Sequence, residues 1–316
     1  MGDVVLATAL VESLHQSGVA KNPHVLVRKG NEGVFAGHPF VSKVYAWDKQ
    51  SASLPHIIAN IRGEKYDVVI NVQRHFRSGL ITVLSGGKQT RGFNKNPLSV
   101  MFSKAFQHVI DGRHEIERNH QLIADFANIV SAPPRLYPTE ADRCFVAPFQ
   151  TIPYVCVAPT SVWFTKQYPA RQWIELISRM SVPVYLLGAA NDRQQCDAIK
   201  QACTGVSVTT LAGSLTILQS AALMAGATMN FVNDSAALHI ASSVSAPVTA
   251  VFCSTVPRFG FGPIGPKGTI VETSEVLQCR PCGIHGRASC PEGHFRCATS
   301  ITTQQILATA ATVESN

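Results

Sequence analysis

Residues 226–243, GATMNFVNDSAALHIASS, are the stretch whose reading decides the fold. Thr228, Phe231 and Val232 are strand-type residues in an apolar run. Asn233 and Asp234 break that run, and Asp and Ser are residues that start helices. From Ala236 on, Ala-Ala-Leu-His-Ile-Ala reads as helix. A strand that turns directly into a helix leaves several backbone N–H groups pointing out of the helix N-terminus, at the positive end of its dipole. Such a turn suits an anion, most often a phosphate. Ser235 and His239 are four residues apart and share the helix face above it. An ordinary βα unit with a satisfied cap carries the same pattern, so the stretch by itself leaves the ligand open.

Outward from this stretch the alternation repeats. Tyr154 to Ala158 reads as a strand, followed by a long polar and aromatic loop, PTSVWFTKQYP, at 159–169. A helix is expected at Trp173 to Met180, a strand at Val182 to Leu187, and a helix at Asp192 to Cys203. Further helices are expected at Leu215 to Met224 and Thr302 to Val313, with a strand at Pro247 to Phe252. In the first half, His24 to Arg28, Val41 to Trp47 and the nearly all-apolar YDVVIN at 66–71 read as strands, the last of the buried parallel type. Leu54 to Ile61 reads as a helix, and a helix is expected to open within 72–78 and run to Leu84. Arg74 and Arg77, three apart, would share its face just past a strand end, where ligands bind in open α/β sheets. Their alternative is solvation of a helix start, although arginine is disfavoured at the positive dipole end. A helix from His114 towards Val130 would pair Glu115 with Arg118. Prolines 133, 134, 138, 148 and 153 mark the one proline-dense stretch. We therefore expect two domains, 1–150 and 151–316, each an α/β Rossmann-like doubly wound unit, facing each other across a cleft.

Composition narrows the function classes. Apolar residues make up 46% of the 316 and charged residues only 15%, which suits large buried sheets and excludes a disordered chain. The net charge is +7, with 17 Lys/Arg against 12 Asp/Glu in residues 1–150, so an anionic partner is expected mainly of the first half. No clustered basic run with interleaved aromatics points to nucleic acid, and none is expected as a partner. No Gly-Lys-Ser/Thr phosphate loop is present, which leaves a nucleoside triphosphatase without support. No apolar run reaches the roughly 18 residues of a membrane span. MGDVVLATAL has no basic n-region or cleavage site, and five of the nine cysteines are scattered, so a reducing cytosol is expected.

At PTSVWFTKQYP together with NDSAALHIA, the chain resembles glycosyltransferase family 9, the heptosyltransferases of the lipopolysaccharide inner core. The likeness continues through GDVVLATAL, DVVINVQRHFRS, TRGFNKNPLS, HEIERN, LAGSLT and the late CRPCGIHGRASCPEGHFRC, the last of which is most similar to the heptosyltransferase II branch. The resemblance implies a GT-B fold, with the acceptor held by the first domain and the nucleotide sugar by the second. It implies inverting, metal-independent transfer from ADP-heptose to an anionic lipid-linked core oligosaccharide, at the cytosolic face of the inner membrane.

Carried over by position, Asp3 is the expected general base, whose alternative is a helix cap, and Lys166 is expected on the donor diphosphate. Ser161 and Thr165 would add hydroxyl donors. Asp234, Ser235 and Ala236 would hold the pyrophosphate and sugar, with His239 one turn on, and Leu215 would contact adenine. Arg74 and Arg77 would face acidic acceptor sugars. The strand that precedes Gly2-Asp3 in the family, central to its first sheet, is missing here. The expectation is that Met1 is an internal methionine and that the native protein carries roughly ten more residues, about one strand and its lead-in.

Cys279, Cys282, Cys290 and Cys297 resemble a structural zinc knuckle, although the second pair is spaced by six residues rather than two to four. Free thiols are the alternative, and no cofactor is expected for the transfer itself. The competing functions are a family 9 transferase that uses another nucleotide sugar and a nucleotide-sugar epimerase of the same fold.

Overall fold

The computed structural model of the chain describes residues 1–48 and 54–313. The chain divides into two compact units. One is Leu6–Pro134; the other joins Met1–Val5 to Arg135–Asn316. The division falls at the first prolines of the proline-dense stretch rather than at 150.

The first unit carries most of helix α1 (Gly2–Gln16), strands β1 (His24–Arg28) and β2 (Lys43–Trp47), and helix α2 (Leu54–Gly63). Strand β3 (Val68–Asn71), helix α3 (Phe76–Leu84), strands β4 (Gln89–Phe93) and β5 (Lys104–Phe106), and helix α4 (Glu115–His120) complete it. Its strands form two parallel sheets, β1-β2 and β3-β4-β5. Trp47, Ile57, Ile61 and Ile81 form one buried cluster that joins β2, α2 and α3. Two helices differ from expectation. The Asn71 side chain accepts from the Gln73 N–H at 2.8 Å, and this local turn holds 72–75 out of the helix, so α3 starts at Phe76. Arg74 therefore lies in the loop and Arg77 in the first helical turn, not together on one helical face. Helix α4 is capped by His114 and stops at His120; the Glu115–Arg118 pair forms as expected, at 2.7 Å.

The second unit runs α5 (Glu140–Val146), β6 (Val155–Ala158), α6 (Ala170–Ile177), β7 (Val184–Leu186), α7 (Arg193–Ala202) and β8 (Val208–Thr210). It continues through α8 (Ile217–Gly226), β9 (Met229–Asn233), α9 (Ala236–Ser243), β10 (Val248–Phe252), β11 (Gly268–Glu272), α10 (Arg296–Thr299) and α11 (Thr303–Val313). All six strands are parallel, in the order β11-β10-β9-β6-β7-β8. Every residue of VCVA, MNFVN and VTAVF is buried, the signature of strands covered on both faces. Val157, Phe231, Trp173, Leu176 and Ile306 share one core cluster. Each large side chain buried this fully contributes roughly 1.5–3 kcal/mol before entropy is counted. Strand β11 was not expected from sequence, since GTIVE follows a Gly/Pro/Lys-rich run and forms an edge. The Thr216–Gln219 capping box starts α8 at Ile217, which leaves Leu215 outside the helix.

Candidate active site

The sheet of the second unit grows in two directions. From β6 it proceeds to β7 and β8; from β9, on the other side of β6, it proceeds to β10 and β11. Val155 of β6 faces Val184 of β7 on one side and Met229 of β9 on the other. The order therefore reverses between β6 and β9, and in parallel α/β sheets ligands bind outside the carboxyl ends of the strands at such a point. The two loops singled out by sequence, 159–169 and 234–235, leave these two strands at that place.

The loops are joined there by a salt bridge. Lys166 Nζ lies 2.7 Å from Asp234 Oδ2, with the two side chains 16% and 6% exposed. Thr255, from the turn after β10, donates to the same carboxylate oxygen at 2.6 Å. Asp234 immediately precedes Ser235, the cap residue of α9. The Lys166 ammonium is thus held close to the first N–H groups of a helix, and both sources of positive potential suit a phosphate. Ser235, partly exposed, makes no side-chain cap hydrogen bond and has extended backbone; Ala236 is the first helical residue. Asn233, at the end of β9, accepts from the buried Tyr168 N–H at 2.9 Å and so fixes the far end of the Lys166 loop. Ser161, partly exposed, starts that loop, and its carbonyl accepts from Gln167 at 2.7 Å.

Thr165 is buried within the 159–169 loop. It is 1% exposed, and its hydroxyl oxygen accepts from the Arg287 N–H at 2.8 Å and from Ser254 Oγ at 3.0 Å. Its own N–H donates to the Arg287 carbonyl at 3.1 Å. The residue lashes the cysteine-bearing strap to the 159–169 loop. Gly286 of the strap has φ +82°, and a Cβ there would meet Lys166 Cγ at 2.8 Å, so the strap runs directly along the lysine stem. Arg280 adds a second brace by donating to the carbonyls of Phe252, Cys253 and Thr255 and pairing with Glu272 at 2.6 Å. Sequence reasoning singled out neither Thr255 nor Arg280. The available signal was their position, just past a central strand and within the CRPC segment.

His239 lies on α9 and is 5% exposed. A Cβ on Gly2 would come within 2.8 Å of its Cδ2 atom and 3.7 Å of Ala236 Cα. The start of α1 therefore packs on the start of α9, which places Asp3, exposed in the first turn of α1, beside the 234–235 turn. Leu215, partly buried, precedes the cap of α8 at the end of the sheet that ends in β8. In the first unit Arg74 and Arg77 are both exposed past the carboxyl end of β3.

The four late cysteines line one cavity of about 320 Å³ together with His294, Arg287 and Thr165. Cys279 Sγ is 3.7 Å from His294 Nε2. Burial pushes the Cys297 thiol up to about 11, with Cys290, Cys279 and Cys282 adding to it. Cysteine sulfurs bind zinc as thiolates, a form that burial disfavours at Cys297. Among the described residues, however, no group of three or more His, Cys, Asp or Glu side chains closes around a common point.

A family model described as glycosyltransferase family 9 (heptosyltransferase) matches residues 56–288. Lipopolysaccharide heptosyltransferase 3 of Escherichia coli is 24% identical over 279 residues, spanning 80% of this chain and 81% of that protein. Lipopolysaccharide heptosyltransferase 1 of Pseudomonas aeruginosa is 24% identical over 278 residues, 81% of this chain and 76% of that protein. Among solved structures, E. coli ADP-heptose LPS heptosyltransferase II matches with a TM-score of 0.82 at 18% identity, covering 99% of this chain and 95% of that one. A family 9 glycosyl transferase from Veillonella parvula matches at 0.82 and 19%, covering 99% and 94%. At these identities the structural likeness is one of fold, and it agrees with the α/β GT-B class expected from sequence.

Proposed function

The chain belongs to glycosyltransferase family 9, and on that premise we propose that it moves heptose from ADP-heptose to a hydroxyl of the lipopolysaccharide inner core, inverting the anomeric centre. The observation that carries the reading is the Lys166–Asp234 bridge at the strand-order reversal, beside the N-terminus of α9. The second unit is the donor side. The diphosphate lies against Lys166, Ser235 and the first N–H groups of α9, and Leu215 contacts the adenine. Asp234 positions the ammonium, and Thr255 positions Asp234. Thr165 acts on the donor through the strap it anchors.

The first unit is the acceptor side, with Arg74 and Arg77 facing the acidic sugars of a lipid-linked oligosaccharide. Asp3 takes the proton of the acceptor hydroxyl as that oxygen attacks the anomeric carbon. The C–O bond to ADP breaks as the new glycosidic bond forms on the opposite face. Lys166 and the helix N-terminus offset the charge that develops on the departing diphosphate. Attack opposite the leaving group gives inversion, and no cofactor enters a step. The enzyme works at the cytosolic face of the inner membrane as a peripheral protein. No described helix is long and apolar enough to cross a membrane.

A structural zinc on Cys279, Cys282, Cys290 and Cys297 belongs to the same reading. Its support is the donor chemistry and the shared cavity, and closing a tetrahedron requires the thiols to draw together. Metal analysis after chelator-free purification tests it: one equivalent supports the site and none ends it. The donor is tested with a panel of nucleotide sugars in thermal-shift measurements. ADP-heptose is expected to stabilise the protein and UDP-N-acetylglucosamine is not. The reverse order would replace this reading with that of a family 9 transferase using another donor.

A further inference from the structure

We propose that the first unit docks on an anionic phospholipid bilayer through an apolar tip formed by Phe76, Val100 and Met101. Phe76 opens α3, Val100 and Met101 belong to the turn before β5, and one side chain ties the two segments together. Asn96 Nδ2 donates to the carbonyls of Gln73 at 2.9 Å and His75 at 3.0 Å, which fixes the 94–101 turn against the start of α3. A third segment joins through Asn94, whose N–H donates to the Phe106 carbonyl at 2.8 Å and whose Oδ1 accepts from the His108 N–H at 3.2 Å. Beneath the tip, Ser99 and Phe102 are buried and anchor the turn. On its outer side Val100 is 90% exposed, Met101 59% and Phe76 54%, and the third segment adds the exposed pair Val109 and Ile110.

A turn that buries Ser99 and Phe102 while Val100 and Met101 point away from the core is not what folding alone selects. Singly scattered apolar side chains on a surface need no explanation, but a group held together by a dedicated asparagine marks an interaction site. The surround selects the partner. Residues 72–118 contain eight Lys/Arg against three Asp/Glu. Arg91 and Arg118 are buried, Arg113 pairs with Asp111, and Lys104 pairs with Asp125. Lys95 reaches Glu115 at 3.9 Å. Arg74 and Arg77 are exposed on either side of Phe76 in the sequence. Apolar side chains on protruding turns with arginines around them match a headgroup layer over acyl chains: the cations meet the phosphates and the apolar tips pass between them. The tip also lies at the carboxyl end of β3, next to the arginines assigned to the acceptor. The proposal deepens the reading of a lipid-linked acceptor and rests on it for its purpose, while the surface itself belongs to the first unit alone.

The test is co-sedimentation of the full chain with vesicles of phosphatidylethanolamine and phosphatidylglycerol, compared with vesicles of phosphatidylcholine alone. The wild type is expected to sediment with the anionic vesicles, less as salt is raised, and weakly with phosphatidylcholine. Val100→Asp/Met101→Asp is expected to lower the partition about tenfold or more, since two apolar side chains no longer enter the acyl boundary. Val100→Ser/Met101→Ser, which adds no charge, should show a smaller loss in the same direction. Both variants should keep the wild-type melting temperature and ADP-induced thermal shift. That separates this surface from the donor site: loss of the ADP shift in the wild type would count against the donor reading, not against this one. The proposal is overturned if the wild type ignores anionic vesicles or if the Asp variant binds them equally well. It is also overturned if the wild type self-associates without lipid and the Asp variant abolishes that association.

Discussion

Replacing Lys166 with methionine keeps the length of the side chain and removes its ammonium. The partner left behind, Asp234, is 6% exposed and retains only the Thr255 hydroxyl and the nearby α9 N-terminus. Breaking a buried pair from one side costs about 3–5 kcal/mol. The two remaining contacts favour the lower end, about 3 kcal/mol. At roughly 2–4 °C per kcal/mol for a domain of this size, the melting temperature should fall by about 6–12 °C. ADP affinity should fall separately. A charge-assisted hydrogen bond to a phosphate is worth about 1.5–3 kcal/mol, which corresponds to roughly a 10- to 150-fold rise in Kd. Lys166→Met/Asp234→Asn removes the stranded charge. It should therefore recover much of the melting temperature and none of the ADP affinity. Differential scanning fluorimetry and calorimetric titration with ADP read the two quantities independently. Wild-type ADP affinity in Lys166→Met would refute the placement of the lysine on the diphosphate. Recovery of ADP binding in the double variant would show that Asp234, not Lys166, governs the site.

Asp3→Asn should lower kcat by about 10²–10⁴-fold and leave ADP affinity unchanged, as measured in steady-state transfer assays against titration. Gly286→Ala places a methyl at φ +82°, 2.8 Å from Lys166 Cγ, and should weaken ADP binding several-fold; unchanged binding would mean that the strap does not position the lysine. Thr165→Val should lower the melting temperature by removing an acceptor from both Arg287 and Ser254, whereas Thr165→Ser should retain most of it. Burial lowers the His120 pKa below its ordinary value of 6.5, against the raising effects of the Ala9 carbonyl and Glu117. The folded state therefore binds this proton less readily than the unfolded chain. The stability linked to His120 is complete above about pH 6.5 and declines as pH falls through that value towards the folded pKa. His120→Gln should flatten the melting-temperature profile in this window.

The central strands of the second unit were legible because strands buried on both faces carry nearly continuous apolar runs, as in VTAVF and MNFVN. The edge strand β11 was not legible, because GTIVE is short, opens on glycine and follows a Gly/Pro/Lys-rich run that reads as loop. The 159–169 loop and the 234–235 turn could be found from residue type, but not their convergence, which follows from strand order. Reversal between β6 and β9 cannot be read from any local pattern. The same holds for Thr165, whose hydroxyl finds its partner 122 residues away, and for Gly2, whose missing side chain admits His239. Arg74 left its expected helix where the Asn71 side chain accepts from the Gln73 N–H, the local kind of interaction that draws residues out of helix starts.

The central claim is transfer of heptose from ADP-heptose by Asp3 and the Lys166 turn. Its most direct test is incubation of the purified chain with ADP-heptose and a heptose-deficient inner-core acceptor, with the product followed by mass spectrometry and its anomeric configuration by NMR. The account predicts addition of one heptose with inverted configuration, strongly slowed in Asp3→Asn and Lys166→Met. Retention of configuration, or transfer from a UDP-sugar in preference to ADP-heptose, would contradict it.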